Sequence, residues 1–234
     1  MLEFLKKTHF CSAIVVAAGS ARRMGGIDKI MADLNGKPVL WHSLNAFQQN
    51  PLIQEIIVVT REDLISELSV KCEKWGFFKV KTVALGGADR VESVTIGTEQ
   101  ASKKAKYLAI HDGARPLVSQ NIITETVEKA FKFGAAAPAI PVKDTIKVTD
   151  RGFVSSTPER SNLMAVQTPQ IFDADLLRAA LKNAKDKNLA VTDDCSCVEA
   201  MGMRVYLTSG EERNMKITTP MDMDIAKLWQ NEEK

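Results

Sequence analysis

An α/β domain is the fold that this sequence predicts, with a mostly parallel, twisted sheet covered by helices on both faces. Short apolar, β-branched runs alternate with segments of helical periodicity along the 234 residues, which is the pattern of parallel sheets connected by helices. Glycine, charged and hydroxyl residues directly follow several of these runs, at the positions where α/β sheets bind ligands. The composition, 45% hydrophobic and 26% charged, is ordinary for a globular protein.

Five apolar runs are predicted to form the strands of the sheet. They are rich in valine, isoleucine and alanine, as expected of strands that are buried on both faces. In chain order, the predicted strands cover residues 12–18, 54–60, 80–85, 107–112 and 135–142.

A helix is predicted between each pair of successive strands, at residues 37–50, 62–76, 89–102 and 119–134. Pro38 lies near the start of the first helix, where the missing N–H costs nothing. Gly76 is placed to end the second helix, and Gly97 weakens the third. The fourth has the clearest pattern, because Ser119 can cap it, apolar residues recur at helical spacing and Gly134 ends it.

Residues 144–169, here called the arm, interrupt the alternation of strands and helices. The runs "DTIKVT" and "FVSST" flank a turn-like "DRG", which predicts a β-hairpin. A hairpin with little sheet behind it is marginally stable alone, so we expect the arm to pack against a second copy of the chain.

The chain after the arm is predicted to contain three helices and one strand. Thr219 caps the last helix and Pro220 takes its first position. The preceding elements cover residues 173–188, 194–201 and 204–208, of which the last is the strand. No repeat or linker divides the sequence, so residues 1–234 are predicted to form a single domain.

Charge and cysteine content exclude several classes of protein. The net charge is +2, from 31 basic and 29 acidic residues, so no basic field indicates nucleic acid or a membrane surface as a partner. The apolar runs are too short for a membrane span, and the first ten residues lack the pattern of a signal peptide. The four cysteines lack zinc-site spacing and fit reduced thiols, so a cytoplasmic location is expected.

The run "AIVVAAGSARRMG" (13–25) places a glycine turn and two arginines after the first strand. It lacks the terminal Lys-Ser/Thr of a P-loop, and the bulky Arg22 would block the close approach of a dinucleotide pyrophosphate. Arg22, Arg23 and Lys29 instead suit the charges of a nucleoside triphosphate. The alternative is that these residues are only solvated surface cations.

Two further strand ends carry candidate ligand-binding residues. "GGADRVES" (86–93) follows the third strand, where Gly87 allows close approach of a flat ligand and Ser93 can contact a base edge. An ordinary loop and helix start explains the same residues about as well. "HDGARP" (111–116) follows the fourth strand, where Asp112 can hold a metal or hydroxyl groups and Arg115 a phosphate. A simple Asp112–Arg115 ion pair is the alternative there.

Seven motifs occur together in a characteristic order: "AAGSARRMG", "GGADRVESV", "HDGARP", "PVKDTIK", "AVQTPQIF", "VTDD" and "NMKITTPMD". From about Ala13 to Ile225 the chain resembles the 2-C-methyl-D-erythritol 4-phosphate cytidylyltransferase family of the non-mevalonate isoprenoid pathway. Ribitol-5-phosphate cytidylyltransferases share the first three motifs and are the alternative within this enzyme class, but the segment "STPERSNLMAVQTPQIF" is more similar to the erythritol-phosphate enzymes.

The resemblance implies a nucleotide-diphospho-sugar transferase-like fold that dimerises through the β-arm. It also implies a Mg²⁺-dependent reaction of CTP with methylerythritol phosphate that releases pyrophosphate. The protein ligands of the metal are left open.

The resemblance also assigns roles to residues by motif. Three cations match the residues that act on the reacting phosphates: Arg23, Lys29 and Lys216. The positions that match nucleotide contacts are Ala17, Ala18, Gly19, Gly87, Ser93 and Asp112. The positions that match contacts to the polyol phosphate are Asp112, Arg115, Thr145, Arg160, Thr168 and Thr192, of which Thr145 and Arg160 would reach the partner subunit's substrate.

The expected reaction needs neither a protein nucleophile nor a general base. A phosphate monoester has its second pKa near 6 and is already largely dianionic at neutral pH. The obstacle is the approach of two anions, which fixed cations relieve. Two other classes stay open on the residues alone, a nucleotide-binding protein without turnover and, more weakly, a nicotinamide dehydrogenase.

Overall fold

The computed structural model describes residues 9–19 and 28–231. It confirms the predicted class, because a mixed, mostly parallel sheet of eight strands is covered by helices on both faces. The strands are β1 Cys11–Val16, β2 Asp33–Leu34, β3 Lys37–Pro38, β4 Glu55–Thr60, β5 Val80–Leu85, β6 Tyr107–Asp112, β7 Ala135–Pro141, β8 Val148–Asp150, β9 Phe153–Ser156, β10 Met164–Val166, β11 Gln170–Asp173 and β12 Tyr206–Ser209. The helices are α1 Val39–Gln49, α2 Ile65–Lys74, α3 Arg90–Gln100, α4 Gln120–Phe133, α5 Ala174–Asp186, α6 Asp194–Glu199 and α7 Pro220–Asn231.

The sheet has the strand order β10-β7-β11-β6-β1-β4-β5, with β12 beside β7. β1 runs parallel to both β4 and β6, and β5 runs parallel to β4, whereas β10 and β11 are antiparallel to their neighbours. Val16 pairs with Val59 on one side and Asp112 on the other. The carboxyl ends of these parallel strands therefore meet at one edge of the sheet.

Both faces of the central strands are buried, which explains their uninterrupted apolar sequences. In β1, Ala13 and Val15 join the core cluster that contains α1, α2 and α4, whereas Ile14 joins the cluster on the opposite face with α3, α5 and α6. Phe47 and Phe172, one in each cluster, are among the largest fully buried side chains. The core thus holds the central strands from two sides.

The caps predicted from sequence are confirmed at two helices. The Ser119 side chain accepts a hydrogen bond from the amide of Ile122, and Gly134 ends α4 in the left-handed region at φ +82°. At α7, the Thr219 hydroxyl accepts from the Asp222 amide, and the Asp222 carboxylate accepts from the Thr219 amide. These bonds satisfy donors that the first helical turn leaves unpaired.

Several predicted element boundaries are wrong. The helix expected at 37–50 begins only at Val39, because Lys37–Pro38 pairs with β2 across a turn whose Asn35 and Gly36 both have positive φ. The segment expected to be one helix at 62–76 opens with a 3₁₀ turn, Glu62–Leu64, before α2. Strand β11 was not predicted, since its few apolar residues merge in sequence with the helix that follows.

The arm contains the predicted hairpin, formed by β8 and β9 around Arg151 and Gly152, which both have positive φ. The whole range 144–169 does not project, however, because Met164–Val166 pairs with β7 in the main sheet. The part of the arm that lies outside the main sheet is therefore shorter than predicted. It presents apolar side chains to solvent, most clearly Phe153, which is 80% exposed.

The four cysteines are buried free thiols. Burial raises the pKa of each of them, as expected of thiols that pack as small apolar residues. Over the described ranges, no helix combines the length and the apolar character needed to cross a membrane.

We predict that Gly97→Ala destabilises the fold, although alanine favours helices. A Cβ at Gly97 would lie 2.4 Å from Ile14 Cγ2 and 3.1 Å from Val59 Cγ2, so α3 would have to move away from the sheet. Urea unfolding should show a loss of about 1–3 kcal/mol. Glu99→Ala, on the exposed face of the same helix, is the control and should stay within about 0.5 kcal/mol of wild type. Equal stability of the two variants would contradict this packing argument.

Candidate active site

A cleft of ≈ 410 Å³ lies at the carboxyl edge of the parallel strands. It is lined by residues that follow β1, β5 and β6 and by two lysines from other loops. The lining residues are Val16, Ala17, Ala18, Gly19, Lys29, Ile30, Gly87, Ala88, Asp89, Arg90, Ser93, Asp112, Ala114 and Lys216. The cleft occupies the position at which open α/β sheets bind ligands.

Backbone hydrogen bonds fix the turns around this cleft. The Ala17 amide donates to the Val59 carbonyl at 2.7 Å, and the Gly113 amide donates to the Val16 carbonyl at 2.9 Å. The Gly86 amide donates a hydrogen bond to the Thr60 carbonyl. A Cβ at position 86 would lie 2.5 Å from Ala18 Cβ. Glycine at this position lets the loop after β5 approach the turn after β1.

The loop after β5 is shaped by the start of α3. The Asp89 side chain caps α3 by accepting from the Glu92 amide, and the Glu92 carboxylate accepts from the Ala88 amide. The Ser93 hydroxyl accepts from the Gly87 amide and donates to the Asp89 carbonyl. Ser93 therefore lines the cleft, as predicted, while its hydroxyl also holds the loop in place.

Asp112 is the charged centre of the cleft. Its Oδ2 lies 2.8 Å from Lys216 Nζ, its Oδ1 lies 3.4 Å from Arg90 Nη2, and Arg115 Nε is 3.8 Å from Oδ2. Burial alone would raise the pKa of Asp112, but Lys216 and Arg90, helped by Arg115, lower it below its usual value. The carboxylate is consequently ionised at neutral pH, although it is almost completely buried.

Arg90 and Asp194 are site residues that the sequence patterns did not indicate. Arg90 Nη1 lies 2.5 Å from Asp194 Oδ2, and Asp194 is 1% exposed. Burial would lower the pKa of Arg90, but Asp194 and Asp112 raise it. Both residues lie inside two of the seven ordered motifs, "GGADRVESV" and "VTDD", so their positions could have marked them as site candidates. Their pairing across 104 residues was not visible in the sequence.

A buried hydrogen-bond network supports Asp112 from behind. His111 Nε2 donates to the Arg115 carbonyl at 3.2 Å, so its Nδ1 accepts from the Thr168 hydroxyl at 3.0 Å. The same hydroxyl oxygen accepts from the Asp112 amide at 3.1 Å. Burial lowers the pKa of His111 to about 4, so the imidazole is neutral near pH 7.

The structure brings most of the predicted site residues together. Those that line the cleft are Ala17, Ala18, Gly19, Lys29, Gly87, Ser93, Asp112 and Lys216. Arg115 and Thr168 lie behind its wall, where Arg115 donates to the Asn214 carbonyl at 2.6 Å. Arg23, with Arg22, lies outside the described residues.

Three predicted residues are not brought into the cleft of the same chain. Thr145 and Arg160 are exposed on the arm, and Arg160 donates to the Lys143 carbonyl at 2.9 Å. Thr192 is exposed just before α6, and its amide donates a hydrogen bond to the Ser196 hydroxyl. The sequence alone does not indicate how far these residues lie from the cleft.

The chemistry of the cleft is electrostatic. Two lysines and an arginine line the cleft together with the acidic side chains of Asp89 and Asp112. The small residues Ala18 and Gly19 leave backbone accessible beside them. Among residues 9–19 and 28–231, no group of three or more His, Cys, Asp or Glu side chains is arranged to hold a metal ion. The cations of the cleft suit a multiply charged phosphate ligand.

Comparisons with known proteins agree with this geometry. The family model described as 2-C-methyl-D-erythritol 4-phosphate cytidylyltransferase matches residues 11–232. The chain is 42% identical over 221 residues to the protein of that name from Caldanaerobacter subterraneus, covering 93% of this chain and 97% of the relative. It is 44% identical over 221 residues to the protein of that name from Clostridium beijerinckii, with 93% and 97% covered.

Solved structures give the same answer for the fold. The crystal structure of 4-diphosphocytidyl-2C-methyl-D-erythritol synthase from Anaerococcus prevotii superimposes with a TM-score of 0.86 at 30% identity, covering 96% of this chain and 97% of that one. The Thermus thermophilus 2-C-methyl-D-erythritol 4-phosphate cytidylyltransferase gives a TM-score of 0.77 at 30% identity, with 93% and 98% covered.

We predict that Thr168→Val destabilises the protein while Thr168→Ser does not. Valine keeps the shape but removes the hydroxyl, so the Asp112 amide and His111 Nδ1 lose their buried partner. Each buried polar group left unpaired costs about 1–3 kcal/mol, which urea unfolding will measure. Serine retains the hydroxyl and is the matched control. Equal losses in both variants would show that the Thr168 methyl group, and not its hydroxyl, is the stabilising part.

Proposed function

The chain belongs to the 2-C-methyl-D-erythritol 4-phosphate cytidylyltransferase family, and from that premise we propose how its cleft carries out the family's reaction. The enzyme transfers the CMP moiety of CTP to 2-C-methyl-D-erythritol 4-phosphate, giving 4-diphosphocytidyl-2-C-methyl-D-erythritol and pyrophosphate in isoprenoid precursor biosynthesis. The observation that carries the site assignment is the Asp112–Lys216 pair in the cleft that the turn after β1 and the loop after β5 line.

We place the triphosphate of CTP on the turn after β1. Ala17, Ala18 and Gly19 line the cleft there with small side chains. The backbone of Ala18 and Gly19 is accessible to phosphate oxygens, whereas the Ala17 amide holds the turn on Val59. Lys29 enters the same cleft, and Arg23 is proposed to join it from the adjoining segment. The cytosine would lie against Gly87 and Ser93, where the loop after β5 closes the other side.

The polyol phosphate is proposed to approach Asp112 and Lys216. Asp112 is ionised and can accept hydrogen bonds from polyol hydroxyls, while Lys216 can stabilise charge at the reacting phosphate. Arg115 and Thr168 support Asp112 from behind the wall, so their effect on the substrate is indirect within one chain. Thr192 is also proposed to contact the polyol phosphate.

The transfer begins when an oxygen of the methylerythritol phosphate attacks the α-phosphorus of CTP, and it ends with pyrophosphate leaving. The attacking group is largely dianionic near pH 7, so no base needs to remove a proton. The neutral His111 fits this view, because both its nitrogens are engaged within the protein. Arg23, Lys29 and Lys216 would offset the charge that accumulates on the phosphate oxygens.

We also propose Mg²⁺ as the cofactor. In phosphoryl-transfer sites Mg²⁺ usually binds substrate phosphates, several waters and one or two carboxylates, so the ionised carboxylate of Asp112, which lines the cleft, fits it. When bound, the ion would neutralise phosphate charge and orient the triphosphate.

A homodimer would complete the site. Thr145 and Arg160 lie on the arm of their own chain and outside its cleft, and the hairpin exposes apolar side chains that a partner subunit would cover. The exposed set comprises Ile146, Val148, Phe153 and Val154. We propose that the arm packs on a second copy, so that Arg160 reaches the polyol phosphate in the partner subunit.

Lys29→Ala and Lys216→Ala are each expected to lower kcat by roughly 10²-fold or more, as loss of a preorganised charge in a transition state does. Steady-state pyrophosphate release with CTP and methylerythritol phosphate is the measurement. Lys103→Ala, at an exposed position away from the cleft, is the matched control and should keep the wild-type kcat. Variants with a raised KM and an unchanged kcat would assign these lysines to binding alone.

Arg160→Ala is expected to bind CTP normally and to lose affinity for methylerythritol phosphate. Co-expressed in equal amounts with Lys29→Ala under a second affinity tag, it should recover activity, because one site in each heterodimer keeps both residues. Random pairing in a two-fold dimer gives about a quarter of the wild-type activity. Purified heterodimers without any recovery would place Arg160 outside the partner's site.

A further inference from the structure

We propose that Arg90 is a positioning residue for the transfer reaction, because it bridges Asp112 in the cleft to the buried Asp194 behind it. The proposal rests on the roles proposed above for Asp112 and Lys216. Arg90 is the first residue of α3, directly after the loop assigned to the cytosine. Its two terminal nitrogens point to carboxylates from two other elements, at 2.5 Å to Asp194 and 3.4 Å to Asp112.

Asp194 is a fixed anchor for this bridge. It is 1% exposed, and its amide donates to Gln170 Oε1 at 3.0 Å. The same oxygen accepts from the Cys195 amide, while Gln170 Nε2 donates to Asp193 Oδ2 at 2.8 Å. Gln170 belongs to β11, next to β6 in the sheet. The start of α6 is therefore tied to the sheet, and Arg90 is tied to α6.

The bridge acts on Lys216 through Asp112. Arg90 contacts Oδ1 of Asp112, while Lys216 contacts Oδ2 at 2.8 Å, so the carboxylate is held from both sides. Lys216 has a flexible stem and its side chain is 38% exposed, so Asp112 is the contact that fixes its ammonium in the cleft. Without Arg90, the carboxylate could rotate and carry the ammonium with it.

A planar guanidinium suits this task better than an ammonium, because its fork reaches two carboxylates in fixed directions. Small displacements of catalytic groups reduce turnover steeply, by up to about 10²-fold for 1 Å. A loss of positioning should therefore lower kcat more than it raises KM for CTP.

The test compares Arg90→Gln, Asp194→Asn and the double variant by kcat, KM and thermal unfolding. Arg204→Gln, at an exposed position, is the matched control, and Lys216→Ala is assayed in parallel. We expect each single substitution to lower kcat by about 10- to 100-fold with KM for CTP within about threefold of wild type. The double variant should have a Tm closer to wild type than Arg90→Gln, since no buried charge is left unpaired, yet its kcat should stay low.

Two results would overturn the proposal. A wild-type kcat in Asp194→Asn would mean that Arg90 does not need its anchor, and recovery of both Tm and kcat in the double variant would mean that the bridge only stabilises the fold. A wild-type kcat in Lys216→Ala would instead contradict the assignment of Lys216, so the two failures can be distinguished.

Discussion

The structure of the cleft depends on one nearly buried carboxylate. Asp112 ends β6, where the sheet places it opposite Val16 and next to the turn after β1. Burying a charge is costly unless it is paired, and Asp112 is paired with Lys216 and Arg90, with Arg115 nearby. The cations that offset the cost of burying this carboxylate also supply positive charge to the cleft.

The rigid sheet explains how such a cluster is maintained. β1, β4 and β6 are parallel and packed on both faces, so their carboxyl ends cannot shift independently. Gly86 and Gly97 allow the loop after β5 and helix α3 to approach these strands closely. Because α3 carries Arg90 at its first position, the packing of its far end against Ile14 also fixes one side of the ionic cluster.

The arm has the opposite character. Within the described part of the chain, β8 and β9 pair only with each other, and their side chains are exposed along both strands. A two-stranded hairpin of this kind gains little from its own core, so its stability and its use depend on what it contacts. The proposed dimer would explain why the arm carries both apolar residues and the substrate-binding candidates Thr145 and Arg160.

Local sequence was sufficient to predict the elements that depend on interactions between residues close together in the chain. Caps at Ser119 and Thr219, the hairpin around Gly152, and the central strands follow from short-range hydrogen bonding and apolar patterning, so they were predictable. The residues that line the cleft were also largely predictable, since parallel strands must bring their carboxyl ends to one edge.

Sequence did not determine the features that depend on long-range pairing. Strand β11 is too short to separate from α5 by pattern, and Met164–Val166 joins the main sheet only because β7 offers a free edge there. The Arg90–Asp194 bridge joins residues 104 positions apart, and the Thr168 hydroxyl meets His111 across 57. Such contacts arise from how the sheet and helices pack, because no local rule relates two charges that are distant in the chain.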